Sequence, residues 1–181
     1  MKIPKMLLPY GDRSIIEKVI DNVIVAGIGE IILVVGSGKD EILKLTCKLP
    51  VTGCYNSDYR KGMFSSVKCG FSNMEANADA VLLVLGDQPS VGPDVIKKLV
   101  EAYRESGKGI VMPVFKNKKG HPVIIDSGYR EQIIGMDESE TLRTLIHKHP
   151  DDVYEVIVST DTVIKDIDTQ EDYMNELKQI R

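Results

Sequence analysis

Two uninterrupted aliphatic runs limit the folds open to this chain. Glu30-Ile31-Ile32-Leu33-Val34-Val35-Gly36 and Ala80-Val81-Leu82-Leu83-Val84-Leu85 lack the polar-apolar alternation of a strand with one wet face. Each reads as a strand buried on both faces, which demands helices above and below the sheet. Ser14 to Ile28 supplies one such helix. It sets Ile15, Ile16, Val19, Ile20, Val23 and Ile24 on a single stripe, with Ser14 or Asp12 as cap. Helical patterns recur at Asp40–Cys47, Phe64–Glu75, Val95–Ser106, Thr141–His147 and Gln170–Ile180. Strand patterns recur at Val51–Tyr55, Ile110–Phe115, His121–Ile125, Tyr154–Ser159 and Val163–Ile167, and Lys116–Gly120 reads as a polar loop. Strands separated by helices imply crossover connections and a mainly parallel sheet. No repeat, linker or low-complexity stretch intervenes, so residues 1–181 are expected to form one α/β domain.

Composition excludes several classes of function. A net charge of -4 argues against a nucleic-acid surface, which would need a basic face. No apolar run approaches the roughly 20 residues of a membrane span, and no secretory signal pattern opens the sequence, so a cytoplasmic protein is expected. Cys47, Cys54 and Cys69 are an odd number without paired metal spacing. Reduced thiols without a chemical role are the expectation.

In open α/β sheets, ligands bind at the carboxyl ends of the strands. Asp87 leaves the most hydrophobic strand between Gly86 and the Gln88-Pro89 turn. A carboxylate held there suits a hard cation such as Mg²⁺, which takes one or two carboxylates plus substrate phosphates; it equally suits a turn residue that caps the next helix. Asp166-Ile167-Asp168-Thr169 is a second acidic site, with both aspartates on one side of an extended segment and Ile167 turned inward. Asp168 or Thr169 can also serve simply as a helix N-cap. Asn56 to Val67 joins a glycine and hydroxyls to a helix N-terminus, where N–H groups favour anions; an ordinary capped helix start has the same pattern. His121, in Gly120-His121-Pro122, reads either as an anion contact or as a satisfied loop residue. Lys5 reads either as a terminal charge or as the edge of a phosphate-binding loop.

Taken in order and spacing, Lys5-Met6-Leu7-Leu8-Pro9, Asn56–Val67, Gly86-Asp87-Gln88-Pro89, Gly120-His121-Pro122 and Asp166–Tyr173 resemble the molybdenum cofactor cytidylyltransferases, relatives of the molybdopterin guanylyltransferases. The resemblance spans almost the whole chain. It implies a three-layer, Rossmann-like, nucleotide-diphospho-sugar transferase-like fold, and transfer of a cytidylyl group from CTP to molybdopterin with release of pyrophosphate, in the maturation of molybdenum hydroxylases. It implies Mg²⁺, with Mn²⁺ as a substitute, held by Asp87 and by Asp168 with Asp166. Lys5 and Asp87 would act in catalysis. Lys5, Pro9, Asn56, Gly62, Met63, Ser65, Ser66, Gly86, Gln88, Pro89, Gly120, His121 and Pro122 would line the nucleotide and pterin sites. Attack by an ionised phosphate on the α-phosphorus of CTP needs positioning and charge neutralisation rather than a nucleophilic side chain or a general base. Another nucleotide or acceptor (guanylyl transfer, a sugar or small phosphate), or a non-catalytic role in binding pterin and delivering it to an apo-hydroxylase, would use the same segments.

The sequence departs from the family pattern at one place. Members carry a buried strand and a Leu-Ala-Ala-Gly-x-Ser-x-Arg-Met-Gly loop before this lysine, and here Met1 falls on the methionine of the Arg-Met pair with Lys2 in place of the glycine. Loss of about five buried aliphatic residues would forfeit ~7–15 kcal/mol, comparable to the ~5–15 kcal/mol of a whole domain. The expectation is a domain incomplete at its N-terminus, with weak turnover. Open strand edges would then favour a homo-oligomer.

Overall fold

The computed structural model describes residues 4–179. A 3-10 turn at Lys5–Leu7 leads into a short antiparallel pair, β1 (Pro9–Tyr10) and β2 (Arg13–Ser14). Helix α1 (Ile15–Val25) follows at once because Ser14 closes a capping box with Glu17, which settles the cap on Ser14 rather than Asp12. Then come β3 (Ile32–Val35), α2 (Lys39–Thr46), β4 (Thr52–Tyr55), α3 (Met63–Asn73), β5 (Ala80–Leu83) and α4 (Pro93–Ser106). The second half holds β6 (Ile110–Phe115), β7 (Lys118–Lys119), β8 (Val123–Asp126), α5 (Arg130–Gly135), α6 (Leu142–Lys148), β9 (Val153–Ile157) and α7 (Gln170–Gln179). The sequence readings placed on Met1, Lys2 and Ile180 lie outside the described residues. No helix among those residues is long and apolar enough to cross a membrane.

Strand direction follows from the pairings. β8 runs antiparallel to both β5 and β6, and β6 runs parallel to β9, so β5, β6 and β9 share one direction against β8. β3 and β4 form a second parallel pair. Alternation then sorts the core into layers. Ile110 and Met112 of β6, Val123 and Ile125 of β8, and Val81 and Leu83 of β5 face Phe64, Val67, Phe71, Ile133 and Leu145 from α3, α5 and α6. Val111, Ile124 and Leu82 face the other way, toward Leu99 of α4 and Val156 of β9. Helices therefore cover both faces of a mixed sheet, the three-layer α/β arrangement expected from the aliphatic runs.

Three expectations require correction. β3 and β5 have both faces packed, yet Ile32, Leu33, Val34 and every residue of β5 are only half-buried. The reason is lateral: each pairs on one edge only, β3 with β4 and β5 with β8, and among the described residues no strand covers the other edge. Second, Val163–Ile167 is not a strand. Thr160 accepts a hydrogen bond from the Thr162 N–H and starts a 3-10 turn at Asp161–Ile164, after which the backbone runs extended without a ladder. Third, the polar loop at Lys116–Gly120 contains β7. Lys116 and Asn117 both adopt positive φ (46° and 64°), the backbone of a two-residue hairpin turn. The helix α5 was not anticipated, because its six residues are too few for a clear apolar period.

Beyond β7 the chain leaves β6 before rejoining it as β8. The His121 N–H there donates to the Val163 carbonyl at 2.8 Å. Gly120 sits so close to that segment that a Cβ would lie 2.2 Å from the Val163 oxygen. Gly120→Ala is therefore expected to cost about 1–3 kcal/mol through overpacking. Thermal denaturation checks this, with an expected fall of about 2–4 °C in Tm per kcal/mol at this size; an unchanged Tm would disprove the close approach.

Candidate active site

Lys5 lies in the 3-10 turn before β1, 82 residues from Asp87 and 163 from Asp168. Its ammonium nevertheless touches both carboxylates, at 2.6 Å from Asp87 Oδ2 and 2.8 Å from Asp168 Oδ1. The Asp87 side chain is 17% exposed and that of Asp168 68%, so one carboxylate is fixed in the protein while the other reaches into solvent. Burial of Lys5 opposes its charge, but hydrogen bonds and attraction from Asp168 and Asp87 outweigh it and raise the pKa above the ordinary lysine value. Lys5 is a permanent cation here.

The loop after β5 is held from two sides. The Ile167 N–H donates to the Asp87 carbonyl at 3.1 Å, so the Asp161–Ile164 turn and the segment after it grip both His121 and this loop. From the opposite side Asn22, buried in α1, donates to the carbonyls of Pro89 and Val91, both at 2.9 Å. A polar residue inside the apolar stripe of α1 was the available sequence signal for Asn22. Gln88 is buried and donates to Asp166 Oδ1 at 2.7 Å, which turns Asp166 toward Gln88 and away from the Lys5 centre. Asp87 does not cap α4, whose N-cap is Gly92. Pro9 is tied to α7 through the Tyr173 hydroxyl, which donates to its carbonyl at 2.5 Å. Beside it the buried Tyr10 meets Ser90 and the buried Glu176, two further residues without a sequence signal of their own.

A second group forms at the end of β4. Asn56 is buried, and its amide donates to Ser65 Oγ (2.8 Å) and Ser66 Oγ (3.0 Å) while its oxygen accepts from the Asp58 N–H (2.9 Å). Gly62 precedes α3 at φ 104°, a conformation that favours glycine, and Met63 is exposed beside it. A cavity of about 260 Å³ opens here, lined in part by Asn56, Lys61, Ser65, Lys68 and Cys69. The two groups share one end of the molecule. Pro4 packs against Gly38 beyond β3, Met6 lies against Gly86 beyond β5, and Tyr59 crowds Gly36. The Pro4–Leu7 turn thus sits over the carboxyl ends of both β3 and β5, where an open α/β sheet binds ligands.

Asp87 and Asp168 already converge on one cation, which makes them a hard-oxygen pair of the kind Mg²⁺ takes beside phosphate and water oxygens. Among the described residues no group of three or more metal-ligating side chains converges, so any such ion would complete its shell from ligand and water. Two buried polar atoms near the pair have no protein partner, Gln88 Oε1 and His121 Nδ1. Pro122 follows His121 through a cis bond and is buried with Gly120.

Burial lowers the pKa of His121 below 6.5, against weaker opposing pulls from Asp166, the Leu83 carbonyl and Asp87. Between its unfolded pKa and this lower folded one, the unfolded chain binds the extra proton, so stability falls as pH falls through that window. Urea denaturation from pH 6.5 down to about pH 5 should show a decline that is shallower in His121→Gln. Equal slopes for the two proteins would contradict the burial of a neutral imidazole.

Comparison with known proteins agrees with the fold. The chain is 25% identical over 176 residues to a nicotine blue oxidoreductase of Paenarthrobacter nicotinovorans, covering 93% of this chain and 85% of that protein. It is 26% identical over 171 residues to the molybdenum cofactor cytidylyltransferase of Escherichia coli K12, covering 94% and 85%. A Mycobacterium tuberculosis H37Rv protein solved in complex with manganese superposes with a TM-score of 0.81 at 23% identity, over 97% of this chain and 92% of that one. That likeness shows a shared fold, of the nucleotide-diphospho-sugar transferase type. Residues 1–153 match the family model of the MobA-like NTP transferase domain. The chain belongs to that family and is a nucleotidyltransferase.

Proposed function

We propose that the chain transfers a cytidylyl group from CTP to the terminal phosphate of molybdopterin. The acceptor phosphate oxygen forms a bond to the α-phosphorus, and the bond from that phosphorus to the β-phosphate bridge breaks to release pyrophosphate. The observation that carries the reading is Lys5 held between Asp87 and Asp168 at one end of the sheet. The name of the Escherichia coli relative supports the choice of cytidylyl and pterin.

The reaction gathers anions, so the task of the protein is to hold positive charge where they meet. Lys5 stays protonated and, on release from the carboxylates, can neutralise charge on the leaving pyrophosphate. Asp87 and Asp168 would then hold a divalent cation, Mg²⁺ or Mn²⁺, which when bound supplies Lewis-acid stabilisation of phosphate charge. Manganese in the mycobacterial structure supports a divalent ion of this kind. Asp166 acts one step back by fixing Gln88, whose buried Oε1 is left without a protein partner beside Asp87. Asn56 fixes Ser65 and Ser66 at the start of α3, beside Lys61 and Lys68, a setting suited to the second anionic ligand. No side chain need act as general base, because a phosphate nucleophile is already ionised.

Calorimetric titration with CTP, GTP, ATP and UTP, each with and without Mg²⁺ or Mn²⁺, tests the assignment. CTP should bind most tightly and only with metal. Asp87→Asn and Lys5→Ala should each weaken that binding about tenfold or more, since one charge-assisted contact is worth about 1.5–3 kcal/mol. Preference for GTP, or equal binding of all four nucleotides, would overturn the cytidylyl reading. Pterin binding that survives Asp87→Asn in a chain without nucleotide binding would point to cofactor delivery instead of transfer. Asn56→Ala should weaken the anionic ligand of the α3 end by about tenfold and lower the Tm by a few degrees, as expected from losing the three hydrogen bonds of a buried amide.

A further inference from the structure

Cys54 and Cys69 were expected to be idle thiols, but the fold brings their sulfurs to 2.9 Å. Cys54 is on β4 and Cys69 on α3, and both are half-buried and free, whereas Cys47 is exposed and has no such neighbour. This spacing is far shorter than ordinary sulfur packing and leaves less than about 1 Å to close to a disulfide bond of about 2.05 Å. The pair also encloses something particular. Between the two cysteines runs the whole segment from Asn56 to Ser66, with its network of amide and hydroxyl bonds, and Cys69 itself lines the adjoining cavity.

We infer that Cys54 and Cys69 are a reversible oxidation site, whose disulfide staples β4 to α3 and locks the Asn56–Ser66 segment between them. The inference rests on the sulfur geometry and stands apart from the nucleotidyl reading.

The oxidant is a peroxide. One sulfur attacks a peroxide oxygen, the O–O bond breaks, and a sulfenic acid and water form. The second sulfur attacks the sulfenic sulfur, the S–O bond breaks, and a second water leaves. Two thiols and one hydrogen peroxide thus give one disulfide and two waters, with two electrons passing from sulfur to oxygen. Burial first, and then the hydrogen bond and charge of Cys54, push the Cys69 thiol up to about 12. Either sulfur can be the donor of the contact between them, so whichever is oxidised first finds the other in place. Because the partner thiol is already in place, the sulfenic acid would be captured before further oxidation. A cellular thiol such as glutathione would reverse the bond by exchange.

Limited hydrogen peroxide treatment of the full chain, followed by N-ethylmaleimide labelling and peptide mass spectrometry, tests the site. The untreated protein should take three labels after denaturation, one for each cysteine. The oxidised protein should take one, on Cys47, with the Cys54 and Cys69 peptides linked and two hydrogens lighter until dithiothreitol restores three labels. Three labels after peroxide, sulfinic acid on either residue, or linkage through Cys47 would overturn the site. Amide hydrogen exchange gives the second measurement. On oxidation, residues 56–66 should exchange more slowly in the unsubstituted chain and show no change in Cys54→Ser. Equal exchange before and after a confirmed disulfide would overturn the locking of the segment. Neither measurement involves nucleotide, so failure here is distinguishable from failure of the cytidylyl reading.

Discussion

The ammonium of Lys5 between Asp87 and Asp168 is the contact around which the functional end of this molecule is arranged. It joins a turn near the start of the chain, the loop after β5 and the segment before α7. Like charges drawn this close would repel without a cation between them, so the two carboxylates and the lysine define one another's positions. The same property that makes the trio stable makes it useful. A pair of carboxylates that needs a cation, and a cation free to turn toward incoming phosphates, can exchange partners without a large change of fold.

Backbone carbonyls and N–H groups, joined by the Asn22 amide, give that trio its rigidity. The stretch from Val163 to Asp168 spends its hydrogen-bonding groups on two loops: the Val163 carbonyl receives His121 and the Ile167 N–H reaches Asp87. Gly120 permits the first contact by lacking a Cβ. On the far side, Asn22 of α1 holds Pro89 and Val91. Two segments remote in sequence therefore hold the Asp87 loop directly, one through the Ile167 N–H and one through the Asn22 amide, while the His121 N–H steadies the first of them at Val163. The loss of regular structure in this stretch is what allows it to brace the site.

The aliphatic runs were a reliable guide to architecture and a poorer guide to burial. Continuous Ile, Leu and Val at β3 and β5 reported truly that both faces of these strands are covered, because side-chain direction alternates along a strand whatever lies beside it. They could not report the lateral edge, since pairing there depends on which segment arrives as neighbour. Val163–Ile167 misled for a related reason. Its β-branched composition fits any extended backbone, and only Thr160, a residue that competes for local backbone donors, marked the turn that replaces the ladder.

What the sequence by itself determined is the alternation of helices and strands, the capped start of α1, and the polar residues at strand ends, each of which depends on neighbours a few positions away. The motifs at Lys5, Asn56, Asp87, His121 and Asp166–Asp168 were visible for the same reason. Their grouping was not. Only the tertiary structure decided that Asp168 shares Lys5 with Asp87 while Asp166 turns to Gln88, and that Asn56 orders Ser65 and Ser66 in a separate cluster. It also decided that Cys54 meets Cys69 while Cys47 stays apart. These outcomes depend on distances across the sheet, set by strand order and helix packing, and no local pattern of residues encodes a distance between segments that meet only after folding.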